Sequence, residues 1–152
     1  MVYRRTGLLF AVVVLLFVPP AARGDDLADL QAVFDKDIRL FNALNNDAFV
    51  ASAHDDVVLF GMLSPFAIKG KEALRQLVQG YFDDHVRVAF RLVNPEFFVA
   101  GTSALAWGHC TIAEQPKIGP RETIHGRYTF TYTKVDGKWL LVALHLSPMQ
   151  GY

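Results

Sequence analysis

The alternation of apolar and polar residues through the second half of the chain is the strongest constraint on its fold. A period of two residues covers 86–92, 103–112, 123–135 and 139–147. Such a period is typical of half-buried β-strands. Asn94-Pro95 interrupts the first run, and residues 97–99 extend the same edge. The pattern predicts four consecutive strands in an antiparallel sheet.

Apolar residues recur at helical spacing before these strands. The longest such segment covers about residues 26–44 and follows Asp25 and Asp26, which can cap a helix. Asn45-Asn46-Asp47 breaks this helix and caps the next. The segments that follow predict a short helix near 47–53, a short strand at 57–60 and a third helix over 71–83. This order predicts an α+β fold in which three N-terminal helices cover one face of a curved antiparallel sheet.

Asp136-Gly137 predicts a hairpin between the last two strands, and two registers are open. A two-residue turn pairs Val135 with Lys138, whereas a three-residue loop with a left-handed Gly137 pairs Lys134 with Lys138. The second register is favoured because it separates large apolar side chains from threonines. Its apolar face holds Tyr128, Phe130, Tyr132, Leu140, Val142, Leu144 and Leu146.

The opposite face in this register is rich in threonine but also carries Trp139 and Leu141. Such a face suits packing against the sheet of a second copy, so we predict a homodimer through the outer sheet face. Arg127 and His145 are then direct cross-strand neighbours. Two cations in that position would repel each other, so His145 is expected to be neutral or to have an acid nearby.

Residues 1–24 have the pattern of an export signal. A basic N-terminus precedes an unbroken apolar run of 11 residues, Leu8 to Val18, which is too short to span a bilayer comfortably. Ala22 and Gly24 place small residues at positions −3 and −1 of a cleavage site. We expect cleavage after Gly24, with an uncleaved anchor as the alternative. The domain over residues 25–152 is then periplasmic or secreted, with no stable membrane anchor.

Charge and cysteine content exclude several classes of protein. The chain of 152 residues has 15 basic and 15 acidic side chains, but every acid follows residue 24, so the expected domain is mildly acidic. No basic stripe is present to bind phosphates, so nucleic acid is not an expected partner. A single cysteine, Cys110, excludes a disulfide scaffold and predicts a buried free thiol. His54, His85 and His125 lack metal-ligand spacing and no cofactor motif occurs, so neither a metal nor a cofactor is expected.

Several short motifs together resemble the SnoaL-like proteins of the nuclear transport factor 2-like superfamily. Their C-terminal signature, which is also similar to that of the calcium/calmodulin-dependent protein kinase II association domain, matches Arg127-Tyr-Thr129, Lys134-Val-Asp-Gly-Lys-Trp139 and His145-Leu-Ser147. The family's first strand and the start of its third helix look like Asp55-Asp56-Val-Val-Leu-Phe-Gly61 and Gly70-Lys71-Glu72-Ala-Leu74. The resemblance implies a cone-shaped α+β barrel, a cavity between sheet and helices, and usually a homodimer.

The same resemblance implies a pocket without the charges that its relatives use. Ketosteroid isomerases place a general-base aspartate at a position that falls near Gly61 here, and residues 26–46 contain no counterpart of their helix-one tyrosine. The arginines that line the cavity of the kinase association domain match His109, Phe130 and Leu146. An apolar pocket is therefore expected, and catalysis is left open because this scaffold carries enzymes and non-enzymes alike.

Aromatic residues are the main candidates for a ligand site. Those that can line an apolar pocket are Tyr81, Trp107, Tyr128 and Phe130, with plain core packing as the alternative. His109 shares the parity of Trp107 and is the candidate general base, with Asp56 or Tyr128 as its partner. The alternatives are a hydrogen-bonded histidine in the cavity wall for His109 and a solvated turn acid for Asp56.

Three hypotheses about function follow from these residues. The favoured one is an exported, homodimeric domain that binds a small, largely apolar molecule. The second is an isomerase-, dehydratase- or cyclase-like enzyme that uses His109 as its base. The third is a dimeric structural assembly module, which requires a filled core.

Overall fold

The computed structural model describes residues 24–149. The helices are α1 (Gly24–Asn42), α2 (Asn46–Ala51) and α3 (Lys71–Asp84). The strands are β1 (Ala53–Phe60), β2 (Ile68–Lys69), β3 (His85–Ala100), β4 (Ser103–Pro116), β5 (Glu122–Val135) and β6 (Lys138–Pro148). The predicted export signal lies outside the described residues, apart from Gly24, where α1 begins.

One six-stranded sheet has the order β2-β1-β6-β5-β4-β3. Neighbouring strands are antiparallel except β1 and β6, which run parallel, so the sheet is mixed rather than fully antiparallel. α1 packs mainly against β3, and α3 packs mainly against β1. This arrangement confirms the predicted α+β fold of a curved sheet with helices on one face.

The first helix joins the sheet through its apolar face. Leu30 and Phe34 have no exposed surface. At the start of α1, the indole of Trp139 donates a hydrogen bond to the backbone oxygen of Asp26 at 3.2 Å. At its end, the Asn42 side chain accepts from the backbone nitrogen of Phe90 at 2.6 Å and donates to the Phe90 oxygen at 2.9 Å. α1 is therefore tied to the last hairpin at one end and to the edge strand β3 at the other.

The predicted cap of the second helix is confirmed. Asn45 precedes α2, and its side-chain oxygen accepts a hydrogen bond from the backbone nitrogen of Ala48 at 3.2 Å. This contact satisfies one of the free N–H groups at the start of the helix. Within residues 24–149, no helix has both the length and the apolar character needed to cross a bilayer.

The favoured register of the last hairpin is wrong near the turn. Val135 pairs with Lys138, and both Asp136 and Gly137 have positive φ, 49° and 77°, as a two-residue turn of type I′ requires. A bulge at Val142 then shifts the register, so that Thr131 pairs with Ala143 beyond it. The bulge lets one strand turn four large apolar side chains inward although they do not keep a single parity. These inward residues are Trp139, Leu141, Leu144 and Leu146.

Two residues predicted for the outer face therefore lie in the core. Trp139 is 3% exposed and Leu141 is 1% exposed. The predicted pairing of Arg127 with His145 is also wrong, because Arg127 lies between His109 on β4 and Ser147 on β6. His145 instead pairs with Thr129. The two-residue turn shifts the register by one residue, which turns Trp139 and Leu141 inward, and the bulge adds a second residue, which moves the partner of Arg127 from His145 to Ser147.

Candidate functional site

The inner face of the sheet and the helices enclose a cavity of about 270 Å³. Its apolar lining consists of Ile38, Phe41, Phe49, Val57, Leu59, Gly61, Met62, Leu63, Leu74, Val78, Phe90, Ile112, Ile124, Phe130, Leu141, Leu144 and Leu146. Its polar lining consists of Tyr81, His85 and Glu114. The volume and the predominantly apolar wall are those of a site for a small organic molecule.

The three polar residues lie together at one end of the cavity. Tyr81, from the last turns of α3, donates a hydrogen bond from its hydroxyl to Glu114 Oε1 at 2.5 Å. His85 begins β3, and its ring centroid lies 4.3 Å from that of Tyr81. His85 Nε2 lies 3.6 Å from Glu114 Oε2. The junction of α3 with β3 and the end of β4 thus bring one polar cluster into an apolar cavity.

The hydrogen bonds of this cluster define which atoms face a ligand. His85 Nδ1 lies 2.6 Å from the backbone oxygen of Tyr81. A carbonyl oxygen only accepts, so Nδ1 carries a proton and, in the neutral ring, Nε2 presents a lone pair. Burial is the main cause that raises the pKa of the Tyr81 phenol well above its usual value. The hydrogen bond to Glu114 and the negative charge of Glu114 raise this pKa further. Tyr81 therefore remains a donor, while Glu114 Oε2 and His85 Nε2 can accept a hydrogen bond or a proton from a bound molecule.

The structure brings two of the five predicted ligand-binding residues to the cavity. Tyr81 and Phe130 line it, whereas Trp107, His109 and Tyr128 do not. His109 does share the parity of Trp107, as predicted, but their common face is the outer one, and His109 is exposed. The inner face of β4 is formed by small residues instead, namely Ala104, Ala106, Gly108 and Cys110.

Small residues occupy that face because large side chains from neighbouring elements fill the space in front of it. A Cβ added to Gly108 would lie 2.9 Å from the hydroxyl oxygen of Tyr128 and 3.1 Å from the backbone oxygen of Asn94. Tyr128 is 2% exposed and stacks against Phe34 with ring centroids 5.8 Å apart. Tyr128 is thus a core residue, which is the alternative that its sequence pattern left open.

The proposed partnership of His109 with Asp56 is not formed. Asp56 is exposed on β1, where its Oδ2 lies 3.9 Å from His54 Nδ1. Two strands, β6 and β5, separate β1 from β4 in the sheet. Three strand spacings amount to about 14 Å along the sheet, far beyond hydrogen-bond reach. The cavity therefore receives neither residue as an acid or a base.

Sequence reasoning missed Glu114 and considered His85 only as a metal ligand. A signal for Glu114 is present, because it continues the inward parity of Cys110 and Ile112 by one further step. An acid on the apolar face of a strand is unusual unless it is paired. The predicted strand ended at Ile112, whereas β4 continues to Pro116 and carries Glu114 into the cavity.

A second buried acid lies in the core beside the cavity wall. Asp37 of α1 has no exposed surface, and its Oδ2 accepts a hydrogen bond from the Tyr132 hydroxyl at 3.4 Å. Among the described residues, no group donates to its Oδ1. Burial raises the pKa of Asp37 to about 6, although the neighbouring Ser52 hydroxyl, the charge of Lys36 and the hydrogen bond to Tyr132 oppose this effect.

The remaining sequence predictions about reactive groups concern cysteine and metals. Cys110 is a buried free thiol, as predicted, and burial raises its pKa to about 11, which keeps it protonated. Over residues 24–149, no three His, Cys, Asp or Glu side chains are grouped as metal ligands.

Comparison with solved structures shows the same fold in several bacterial proteins. A structure described as a calcium/calmodulin-dependent protein kinase II association domain from Xanthomonas campestris has a TM-score of 0.74 and 23% identity, covering 91% of this chain and 100% of that one. A ketosteroid isomerase-like protein from Erwinia carotovora atroseptica has a TM-score of 0.73 and 21% identity, covering 84% and 99%. A proposed scytalone dehydratase from Novosphingobium aromaticivorans has a TM-score of 0.74 and 16% identity, covering 83% and 85%.

These identities are low, so the likeness is one of fold. Comparison with curated proteins finds no match. The model of the SnoaL-like domain family matches residues 30–151, which include all six strands and most of α1. The protein therefore belongs to the SnoaL-like domain family of the nuclear transport factor 2-like superfamily.

Proposed function

We propose that this SnoaL-like domain binds a small, largely apolar molecule in the cavity between sheet and helices. The observation that supports the proposal is the cavity of about 270 Å³, whose wall is apolar apart from one cluster of three polar residues. Pockets of this kind gain affinity from burial of apolar surface, and their few polar groups orient the ligand.

Binding is better supported than the two rival hypotheses. The enzyme hypothesis depended on His109, which is exposed on the outer face of the sheet. Gly61, near which the family resemblance places the catalytic aspartate of ketosteroid isomerases, lines the cavity and has no side chain for proton transfer. The assembly hypothesis required a filled core, and a cavity of this size argues against it.

Naphthalene is expected to bind to the purified domain, and Ile112→Trp is expected to abolish that binding. Ile112 is 5% exposed and lines the cavity, so an indole at this position occupies the volume that a ligand needs. Titration followed by naphthalene fluorescence measures the affinity, and circular dichroism verifies that the variant is folded.

Ala113→Trp is the matched control for this experiment. Ala113 is exposed and adjoins Ile112 in β4, so its side chain points to the other face of the sheet. This variant should bind naphthalene as the wild type does. Failure of the wild type to bind, or equal binding by folded Ile112→Trp, would contradict the proposal.

We further propose that the domain is exported and forms a homodimer through the outer sheet face. The N-terminal apolar run and its small-residue cleavage site support export. In place of Trp139 and Leu141, the outer face has Leu105 and Trp107, which pair with Thr131 and Thr129. The name of the similar Xanthomonas campestris structure, an association domain, also supports assembly.

Protein recovered from the periplasm of an expressing bacterium is expected to start at Asp25 and to sediment as a dimer. Mass spectrometry identifies the first residue, and sedimentation equilibrium gives the oligomeric state.

Trp107→Asp should yield a monomer, because a carboxylate would be buried unpaired in the interface. Val86→Asp, at an exposed position on β3, should remain dimeric. A monomeric wild type would exclude the dimer, and an intact residue 1 would exclude cleavage.

A further inference from the structure

Glu114 places a carboxyl group in the largely apolar wall of the cavity. Its side chain is 13% exposed, and among the residues that the structure describes no lysine or arginine lines the cavity. Lys117 and Arg121 follow in the exposed loop between β4 and β5 and are not part of the wall. A carboxylate at such a position is stabilised when a cation or several hydrogen-bond donors meet it.

The existing partners of Glu114 leave one of its oxygens available. Oε1 accepts the hydrogen bond from Tyr81 at 2.5 Å. Oε2 lies 3.6 Å from His85 Nε2, which is too long for a hydrogen bond. Because Nδ1 of His85 is committed to the Tyr81 backbone oxygen, the neutral ring directs the lone pair of Nε2 toward the same space. Two acceptors therefore stand side by side at the polar end of the cavity.

We propose that the cavity selects an apolar molecule that ends in a protonated amine, with the ammonium group between Glu114 Oε2 and His85 Nε2. This inference rests on the proposed binding function and names its ligand class. An ammonium group carries three N–H donors and a positive charge, so it can satisfy both acceptors and neutralise the carboxylate. Its hydrocarbon body then fills the apolar remainder of the cavity.

The same geometry excludes the opposite charge. A ligand carboxylate at this end would meet the Glu114 carboxylate, and among residues 24–149 no lysine or arginine lines the wall to compensate the two charges. Glu122, the cross-strand partner of Glu114, adds a second acid at this end of β4 and β5. Anionic relatives of a bound amine are therefore rejected, while the corresponding neutral hydrocarbon retains its apolar contacts.

Three probes with one ring system test the proposal: naphthalene, 1-naphthylmethylamine and 1-naphthoate. Calorimetric titration of the full domain at pH 7 should show the amine binding about tenfold or more tighter than naphthalene, since charged hydrogen bonds are the stronger class. The naphthoate should bind more weakly than naphthalene. These wild-type measurements do not depend on any variant.

The variant Glu114→Gln tests whether the preference for the amine over naphthalene comes from Glu114. This change keeps the shape of the side chain and removes its charge, so it should lower the affinity for the amine about tenfold relative to the affinity for naphthalene. Glu96→Gln removes an exposed charge elsewhere, on β3, and should leave all three affinities unchanged.

The outcomes separate this inference from the proposed function. If naphthalene binds and the amine binds no tighter, the amine proposal is overturned and the apolar site stands. An amine preference that survives in folded Glu114→Gln also overturns it, because the selectivity would then come from another group. If none of the three probes binds, both the site and its ligand class are wrong.

Discussion

Replacing Phe34 with alanine is expected to lower the free energy of unfolding by about 3–5 kcal/mol. Phe34 has no exposed surface and joins α1 to aromatic residues of two strands, β3 and β5. Its ring centroid lies 5.3 Å from that of Phe97, 5.8 Å from Tyr128 and 5.4 Å from Phe130. Truncation would remove these aromatic contacts and leave a void in a closely packed core, and both effects destabilise the native state.

Urea denaturation followed by circular dichroism measures this loss, and Phe66→Ala provides the control. Phe66 is 77% exposed, so the same change of side chain there should alter stability by no more than about 0.5 kcal/mol. Similar losses in the two variants would mean that α1 is not held to the sheet through Phe34.

Asp37→Asn is expected to stabilise the domain above neutral pH and to remove a pH dependence that the wild type shows. The pKa of Asp37 rises from its ordinary value of 3.8 to about 6 because burial disfavours the charged carboxylate. The native state therefore binds this proton more tightly than the unfolded chain does. The stabilising contribution of the protonated side chain is complete below about pH 4 and is lost as the pH rises through about 6.

The expected size of this effect follows from the same two pKa values. Their difference corresponds to a loss of about 3 kcal/mol of native-state stability between pH 3 and pH 8, at 1.36 kcal/mol per pKa unit. Asparagine carries no charge at any pH, yet its side-chain oxygen can still accept from the Tyr132 hydroxyl. The variant should thus lack this slope and be more stable than the wild type at pH 8.

Urea denaturation at intervals from pH 4 to pH 8 checks this expectation. Asp35→Asn serves as the control, because Asp35 is exposed on the same helix. It should keep the wild-type slope between pH 4 and pH 6. Equal slopes for Asp37→Asn and the wild type would show that Asp37 does not retain its proton in the native state.

The sequence signal for Asp37 illustrates how a buried acid can be overlooked. Leu30, Phe34 and Phe41 recur at helical spacing along α1, and Asp37 occupies the same stripe at the intervening position. A carboxyl group is typical of a solvent-facing position, whereas the helical period places this one inside. The period was the better guide, because helix geometry determines which face a residue shares, whatever its polarity.

The candidate site was predictable only in part, for a related reason. Tyr81 and Phe130 were identified because they are aromatic and lie on the apolar faces of their elements. Trp107 and His109 were assigned inward for their size and chemistry, yet β4 turns Ala104 and Ala106 inward because Phe34 and Tyr128 occupy that space. Periodicity shows which residues share a face but not which face meets the core.

The sequence by itself determined the α+β class, the order of helices and strands through α3 and β3–β6, and membership of the SnoaL-like family. These properties depend on local periodicity, on caps such as Asn45 and on short motifs, all of which lie within a few residues of one another. The family resemblance also implied an apolar pocket, and Gly61, Phe130 and Leu146 line the cavity.

Only the tertiary structure decided the hairpin register and the polar cluster of the cavity. The two-residue turn places Trp139 and Leu141 on the inner face, and the bulge at Val142 lets Leu144 and Leu146 share that face, because burying these large side chains outweighs one irregularity in the ladder. Tyr81 and Glu114 are 33 residues apart in the chain and meet only when β4 folds back along β3 toward α3. Contacts at such separations depend on strand pairing, which no local pattern specifies.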